Sequence, residues 1–288
     1  MSIVVTGASG QLGRLTVEAL LRRGVPASDI VATARDTARI KDLADRGVAV
    51  RRADFADPDS LAAAFAGADK LLISASIPVV ERVANHRRAI DAAVAAGVSL
   101  VAYTSMSHVD TATNVLAVTH RATEEYLRER GVPSVVLRNS WYLENYTGQL
   151  PVVLENGTVI GAVGQGRVSA AARAEYAEAA AVVLTTEGHA GKVYELGGDE
   201  AFTLSELAAA ASGKQITYTE MPAQKLAEVL ASTGLPAEVA DSVADADLGL
   251  GRGELLASSG DLRRLLDGRP PPWPTRLPTR GADKGSRH

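Results

Sequence analysis

Cysteine is absent from the 288-residue chain. That removes disulfides, a thiolate nucleophile and every sulfur-ligated metal site, and it suits a reducing compartment, so a cytoplasmic location is expected. The five histidines stand at 86, 108, 120, 189 and 288 with no ligand-pair spacing, and no metal is expected. No apolar run is long enough for a membrane helix. The alanine-rich stretch 170–183 carries Arg173, Glu175 and Glu178 and reads as an amphipathic helix. The N-terminus runs straight into a strand pattern, leaving no signal peptide to expect. A net charge of −4 lacks the basic excess of a polyanion binder, so nucleic acid is not an expected partner. There is no repeat of 20–50 residues, and no Gly-x-Ser-x-Gly to suggest a hydrolase elbow. Aromatic residues make up only 4%, so a cluster of them carries information.

What is present begins at the first residues. The β-branched run Ile3-Val4-Val5-Thr6 meets Gly7-Ala8-Ser9-Gly10-Gln11-Leu12-Gly13, and a helical pattern follows through Leu15 and Ala19. A strand feeding a glycine turn into a helix leaves unpaired N–H groups at the positive end of the helix dipole, which is an anion site. Gly7 permits the turn, Gly10 lets a pyrophosphate approach the backbone, and Gly13 lets helix and strand pack closely. The spacing is G-x-x-G-x-x-G, not G-x-G-x-x-G. A tight turn without a ligand is the rival reading.

Strand and helix then alternate six times. Strands are expected at 30–34, 48–50, 70–73, 100–103 and 135–137. Helices are expected from Asp36 or Thr37 to about Arg46, from the Asp57-Pro58 cap to Ala66, over 79–96 and over 118–130. Val83, Ile90 and Val94 would form the buried face of the third of these helices. The fold class is α/β: a Rossmann-type doubly wound parallel sheet (residues 1–150) with a smaller α+β C-terminal lobe (151–268), intimately packed and partly shared with the first. In the lobe, strands at 159–161 and 167–169 would flank a Gly164/Gly166 turn. A helix at 174–185, a strand at 192–196, a Thr203–Glu206 capping box, a strand at 215–218 and helices at 222–232 and 236–244 follow. The polar, proline-rich tail 269–288 is expected to be mobile. Ligands of such sheets lie beyond the carboxyl ends of the strands, which gathers Gly7–Gly13, Arg35, Asp54, Ser74–Ser76, Thr104–Ser105 and the loop after Leu137.

With these motifs in place the chain resembles an atypical short-chain dehydrogenase of the NmrA-like group, and within it the NADPH-dependent quinone oxidoreductase type 2 subfamily. The matching residues are Thr6–Gly13, Ala34-Arg35, Ala53-Asp54-Phe55, Ala102–Ser105, His120–Glu124, Leu137–Tyr146, Ala172–Tyr176 and Gly191–Gly197. They are spread over about residues 1–265, and the Leu137–Tyr146 segment is the most specific. The resemblance implies NADP(H) binding and hydride transfer to a small, quinone-like acceptor, and it leaves a homodimer open.

Arg35 ends the second strand where an NAD site would place an acid. A guanidinium there favours a ribose 2′-phosphate through charge-assisted hydrogen bonds. Arg39 and Lys41 could add positive potential, and Asp36 is read as a helix cap. The remaining cofactor candidates are Gly7, Ser9, Gly10, Gln11 and Leu12 of the glycine turn, Asp54 and Phe55 for the adenine, Ser74, Ala75 and Ser76 for ribose and phosphates, then Asn139, Trp141, Tyr142 and Arg173. For Arg173 a salt bridge with Glu175 or Glu178 is the alternative. The usual short-chain dehydrogenase site has a Ser or Thr and then Tyr-x-x-x-Lys. Ser105 fits the first position, but the helix carries His120-x-x-x-Glu124. No catalytic residue is certain. His120 is the candidate, and Glu124 would raise a neighbour's pKa rather than lower it. Quinone reduction tolerates that loss, because it needs chiefly a stacked, oriented acceptor. Asn139, Trp141 and Tyr146 are the candidates to hold it. The alternative function is a non-enzymatic NADP-binding redox sensor, whose slot would be filled by side chains rather than open.

Overall fold

This computed structural model describes residues 1–74, 79, 81–210, 216–268 and 273–276. Seven parallel strands form the large sheet: β1 (Ile3–Val5), β2 (Ile30–Ala34), β3 (Ala49–Arg52), β4 (Lys70–Ile73), β5 (Leu100–Met106), β6 (Ser134–Asn139) and, after one strand that leaves the sheet, β8 (Val193–Leu196). Their order is β3-β2-β1-β4-β5-β6-β8, and every pair is parallel. The chain reverses its winding between β1 and β4, which is where such sheets open a crevice. Strands β1, β2, β4 and β5 are buried along their whole length, as a sheet covered on both faces requires. The doubly wound sheet expected from the alternation is therefore present.

The helices are α1 (Gln11–Arg22), α2 (Lys41–Ala44), α3 (Pro58–Phe65), α4 (Arg82–Ala95), α5 (Val115–Arg130), α6 (Glu144–Thr147), α7 (Leu150–Asn156), α8 (Arg173–Thr185), α9 (Leu204–Ala210), α10 (Ala223–Ser232), α11 (Ala237–Gly251) and α12 (Asp261–Leu265). Local chemistry sets their starts. Asp57 accepts from Ser60 N at 3.2 Å with Pro58 in the first turn. Asn114 accepts from Ala117 N at 3.0 Å, so α5 begins three residues before the 118 expected. Thr203 and Glu206 exchange hydrogen bonds of 2.9 and 3.1 Å as a capping box.

Helix α8 is not amphipathic. Eight of its thirteen residues are buried, because its alanines let it wedge between α1 and the sheet. With β8 and α12 it belongs to the large sheet's core, so the stretch 151–268 contributes to both parts of the molecule. The hairpin at 159–169 does not form. β7 (Thr158–Gly161) pairs in parallel with β9 (Thr217–Glu220), and Val168 makes a single antiparallel bridge to Phe202. The reason is a close approach: a Cβ on Gly166 would stand 2.5 Å from Leu250 O, so this segment lies against the end of α11 and cannot return along β7. The lobe has its own core around Phe202, Leu204 and Leu250. Of the tail expected to be mobile, 269–272 and 277–288 lie outside the described residues. The piece between them is docked, with the Trp273 ring 4.3 Å from that of Phe202.

Among the described residues no helix is long and apolar enough to cross a membrane, and no three acidic or histidine side chains are grouped to hold a metal.

Candidate active site

A cleft of about 1040 Å³ runs along the carboxyl ends of β2, β1, β4, β5 and β6, with the lobe as its far wall. Gly7, at φ +66°, turns the chain after β1, and Gly10 N donates to Gly7 O at 2.8 Å. Gly10 is the N-cap of α1 and supplies no capping side chain, so the first turn of the helix is left open to an anion in the cleft. The Thr6 hydroxyl accepts from Ser74 N at 3.0 Å and ties the ends of β1 and β4 together. Gly13 answers to packing: a Cβ there would stand 2.5 Å from Gly7 O and 2.7 Å from Gly7 C, whereas one on Gly10 would reach Gly7 O at 3.2 Å. Gly13→Ala is therefore expected to lose about 1–3 kcal/mol of stability through overpacking, with Gly10→Ala milder. Thermal unfolding of the two variants checks this, and equal midpoints would contradict it.

Gly7, Ser9, Gly10, Gln11, Leu12, Arg35, Asp54, Phe55 and Ser74 all line one end of the cleft. Ala75 and Ser76 lie outside the described residues. The exposed Arg35 side chain makes no hydrogen bond or ion pair among the described residues. Asp36 caps the following turn, accepting from Ala38 N at 3.0 Å. It is not among the cleft residues, and neither are Arg39 and Lys41. Asp54 uses Oδ1 to accept from Ala56 N at 3.0 Å, and Phe55 stands edge-on to His86 with ring centres 6.2 Å apart.

At the other end Asn139, Trp141, Tyr142 and Arg173 line the cleft. Asn139 Nδ2 donates to the Tyr142 hydroxyl at 3.4 Å, while its Oδ1 is buried with no partner among the described residues. Arg173 lies over the Tyr142 ring, 4.6 Å from its centre, and donates to Gln11 Oε1 and, at 3.4 Å, to Asn145 Oδ1. Among the described residues Arg173 forms no ion pair with Glu175 or Glu178. Glu175 caps Ala172 N at 2.8 Å, and Glu178 pairs with Arg22 and Arg23. Tyr146 departs from expectation and is no part of the cleft wall. The turn of α6 carries it into the lobe, edge-on to Phe202 at 6.1 Å. There its hydroxyl is buried without a partner, and burial pushes its pKa well up.

The positions of the missing Tyr-x-x-x-Lys have different uses. Glu124 faces away from the cleft. It accepts from Ser105 Oγ at 2.5 Å and from Arg138 Nε and Nη2 at 3.1 and 2.7 Å. Arg138 also reaches Asp110 and Glu195 at 2.6 and 3.1 Å. Ser105 lines the cleft with its hydroxyl proton committed to Glu124. His120 is buried, not a surface residue, and lines the cleft wall. Its Nδ1 lies 2.6 Å from the hydroxyl of the fully buried Tyr103. Burial, with Arg82 and His86 adding to it, pulls the His120 pKa well below the ordinary histidine value, so the ring is neutral.

Two groups of cleft residues escaped the sequence reading. The buried stripe of α4 is Arg82, Asn85, His86, Ala89, Ile90 and Ala93, with Val83 and Val94 only half-buried. Its first two residues line the cleft, and Arg82 donates to Thr119 Oγ1 at 3.0 Å. From the lobe, α11 contributes Val239, Ser242 and Val243, facing Val115 and Leu116 of α5 across an apolar opening.

The NmrA-like family model matches residues 1–251. Quinone oxidoreductase 2 of Escherichia coli (strain K12) is 46% identical over 267 residues, covering 92% of this chain and 93% of that protein. The crystal structure of an Escherichia coli NADPH-dependent quinone oxidoreductase complexed with NADPH superposes with a TM-score of 0.91 at 45% identity, over 96% of this chain and 98% of that one. Triphenylmethane reductase of Citrobacter sp., complexed with NADP(H), superposes at 0.89 with 35% identity, again over 96% and 98%.

Proposed function

Because this chain belongs to the NmrA-like family, we propose that it is an NADPH-dependent reductase of quinones or related electrophilic acceptors. One observation carries the reading: one cleft joins an uncapped helix N-terminus and an Arg35 without a partner among the described residues to Asn139 and an apolar opening. The residues fit a dinucleotide phosphate. Gly10 leaves room beside the turn, and the first N–H groups of α1 would hold the pyrophosphate. Arg35 would pair with the 2′-phosphate, Asp54 and Phe55 would border the adenine, and Arg173 would lie across from Gln11. The unpartnered Asn139 Oδ1 would accept from a carboxamide N–H, which satisfies a buried acceptor that is otherwise costly to leave unmade. The relatives crystallised with NADPH and NADP(H) support the same cofactor.

When bound, NADPH supplies the hydride. The chain supplies orientation and an apolar border. Trp141 would stack on a planar acceptor, with Val115, Leu116, Val239 and Val243 along its edge. His120, held neutral, donates a hydrogen bond rather than a proton to the acceptor oxygen as it gains negative charge. Glu124 accepts from both Ser105 and Arg138, so neither it nor Ser105 is free for Tyr-Lys-type proton delivery. A hydroquinone anion spreads its charge over its ring and takes its proton from solvent.

The openness of the wall favours this reading over the redox sensor, which has no need of an acceptor slot. On the same reading the protein works in the cytoplasm, where NADPH is supplied. The decisive measurement is NADPH oxidation, followed by absorbance, with a panel of benzo- and naphthoquinones. Turnover with NADPH well above that with NADH is expected. If NADPH binds and no acceptor is reduced, the sensor reading takes over.

A further inference from the structure

Beneath the cleft wall lies a hydrogen-bonded chain that the proposed reaction does not by itself require. Thr123 Oγ1 donates to Thr119 O at 3.0 Å, so the same oxygen can accept from His86 Nδ1, also at 3.0 Å. His86 Nδ1 is thus a donor, and it lies 3.4 Å from the Tyr103 hydroxyl oxygen. The Tyr103 hydroxyl lies 2.6 Å from His120 Nδ1. That separation is short for an N–H donor and ordinary for an O–H donor. Burial raises the pKa of Tyr103, so the phenol keeps its proton. The opposite polarity, His120 Nδ1–H onto Tyr103, would turn the phenol hydroxyl to Thr123 Oγ1, which already receives His86 Nδ1–H, or to the 3.4 Å contact with His86 Nδ1 itself.

The other ring nitrogen of His120 completes the argument. Nε2 makes no hydrogen bond among the described residues, and it is not among the sealed, unpartnered atoms, which there are Asn139 Oδ1 and Tyr146 Oη alone. It is therefore open, and the surface that His120 presents is the cleft wall. We propose that Tyr103 is a positioning residue: its hydroxyl donates to His120 Nδ1 and so fixes the tautomer that carries its proton on Nε2, where the N–H faces the acceptor oxygen. This rests on the reductase reading for what the N–H meets, but not for the tautomer itself. The charged and titratable groups around the ring are Arg82, His86, Tyr103 and, beyond Tyr103, Glu124. Arg82 and His86 disfavour a charged imidazole, so no imidazolium competes with the tautomer near neutrality.

The test is nitrogen-15 NMR of the full-length protein with labelled histidine, the His120 signals being assigned by their disappearance in His120→Gln. The expected spectrum shows Nδ1 bare and Nε2 protonated, unchanged from pH 6 to 8. Tyr103→Phe, which keeps the packing of the ring, should shift His120 towards the Nδ1–H form. It should lower kcat for a quinone about tenfold, the worth of one hydrogen bond, with KM for NADPH unchanged. A wild-type His120 that is protonated on Nδ1 or doubly protonated overturns the proposal, as does a tautomer indifferent to Tyr103→Phe or an unchanged kcat. A wild-type protein that reduces no quinone overturns the reductase reading instead, while the tautomer is still decided by the spectra.

Discussion

Arg35→Asp should reverse the cofactor preference. The guanidinium follows β2 on the cleft wall with no partner to lose among the described residues, and its replacement removes a charge-assisted contact worth about 1.5–3 kcal/mol to a 2′-phosphate. A carboxylate at the same place repels that phosphate and accepts from the ribose hydroxyl of NADH instead. The combined swing in relative affinity is on the order of 10²–10³. Stability should hardly change, because Arg35 is exposed and makes no contact that folding depends on. Calorimetric titration of wild type and variant with both dinucleotides measures the swing. An unaltered preference would mean that the phosphate lies elsewhere, and Arg173 would be the next residue to replace.

The capping role of Asp36 was legible from its place before a helical turn, and the structure puts it there as a cap. The alternation of β-branched runs and glycine-closed helices was legible for the same kind of reason. A strand buried on both faces must be apolar throughout, and a helix must close its own termini. What stayed hidden depends on contacts between distant parts of the chain. In α4 the apolar pattern chose Val83, Ile90 and Val94; Ile90 is buried, but the helix is turned so that Arg82, Asn85 and His86 face inward in place of the two valines. Those side chains find partners in α5, such as Thr119 and Thr123, that no local pattern announces. Gly166 looked like the turn of a hairpin until Leu250 and Gly251 occupied the space beside it. The aromatics from Trp141 to Tyr146 form one cluster in sequence. The turn of α6 divides them, leaving Trp141 and Tyr142 on the cleft and sending Tyr146 to the lobe core.

The same dependence on distant contacts governs the second large effect. Arg138→Met should lose about 3–5 kcal/mol of stability, on the order of 10 °C in the unfolding midpoint. Glu124 is only 6% exposed at its side chain, and Arg138 supplies the hydrogen bonds and the positive charge that make a buried carboxylate tolerable there. Without the guanidinium, Glu124 keeps only the Ser105 hydroxyl, and an uncompensated buried charge is the expensive outcome. Asp110 and Glu195, at 70% and 24% exposure, can turn to water. The cost therefore belongs to the stranded carboxylate rather than to the lost attraction, and this has a sharp consequence. Glu124→Gln added to Arg138→Met should recover most of the stability, because a neutral amide no longer needs the guanidinium. A double-mutant cycle by chemical denaturation separates the two. If Glu124→Gln brings no recovery, the loss comes from packing around Arg138. If the double variant recovers its stability and also reduces quinones at the wild-type rate, Glu124 is confirmed as a structural residue.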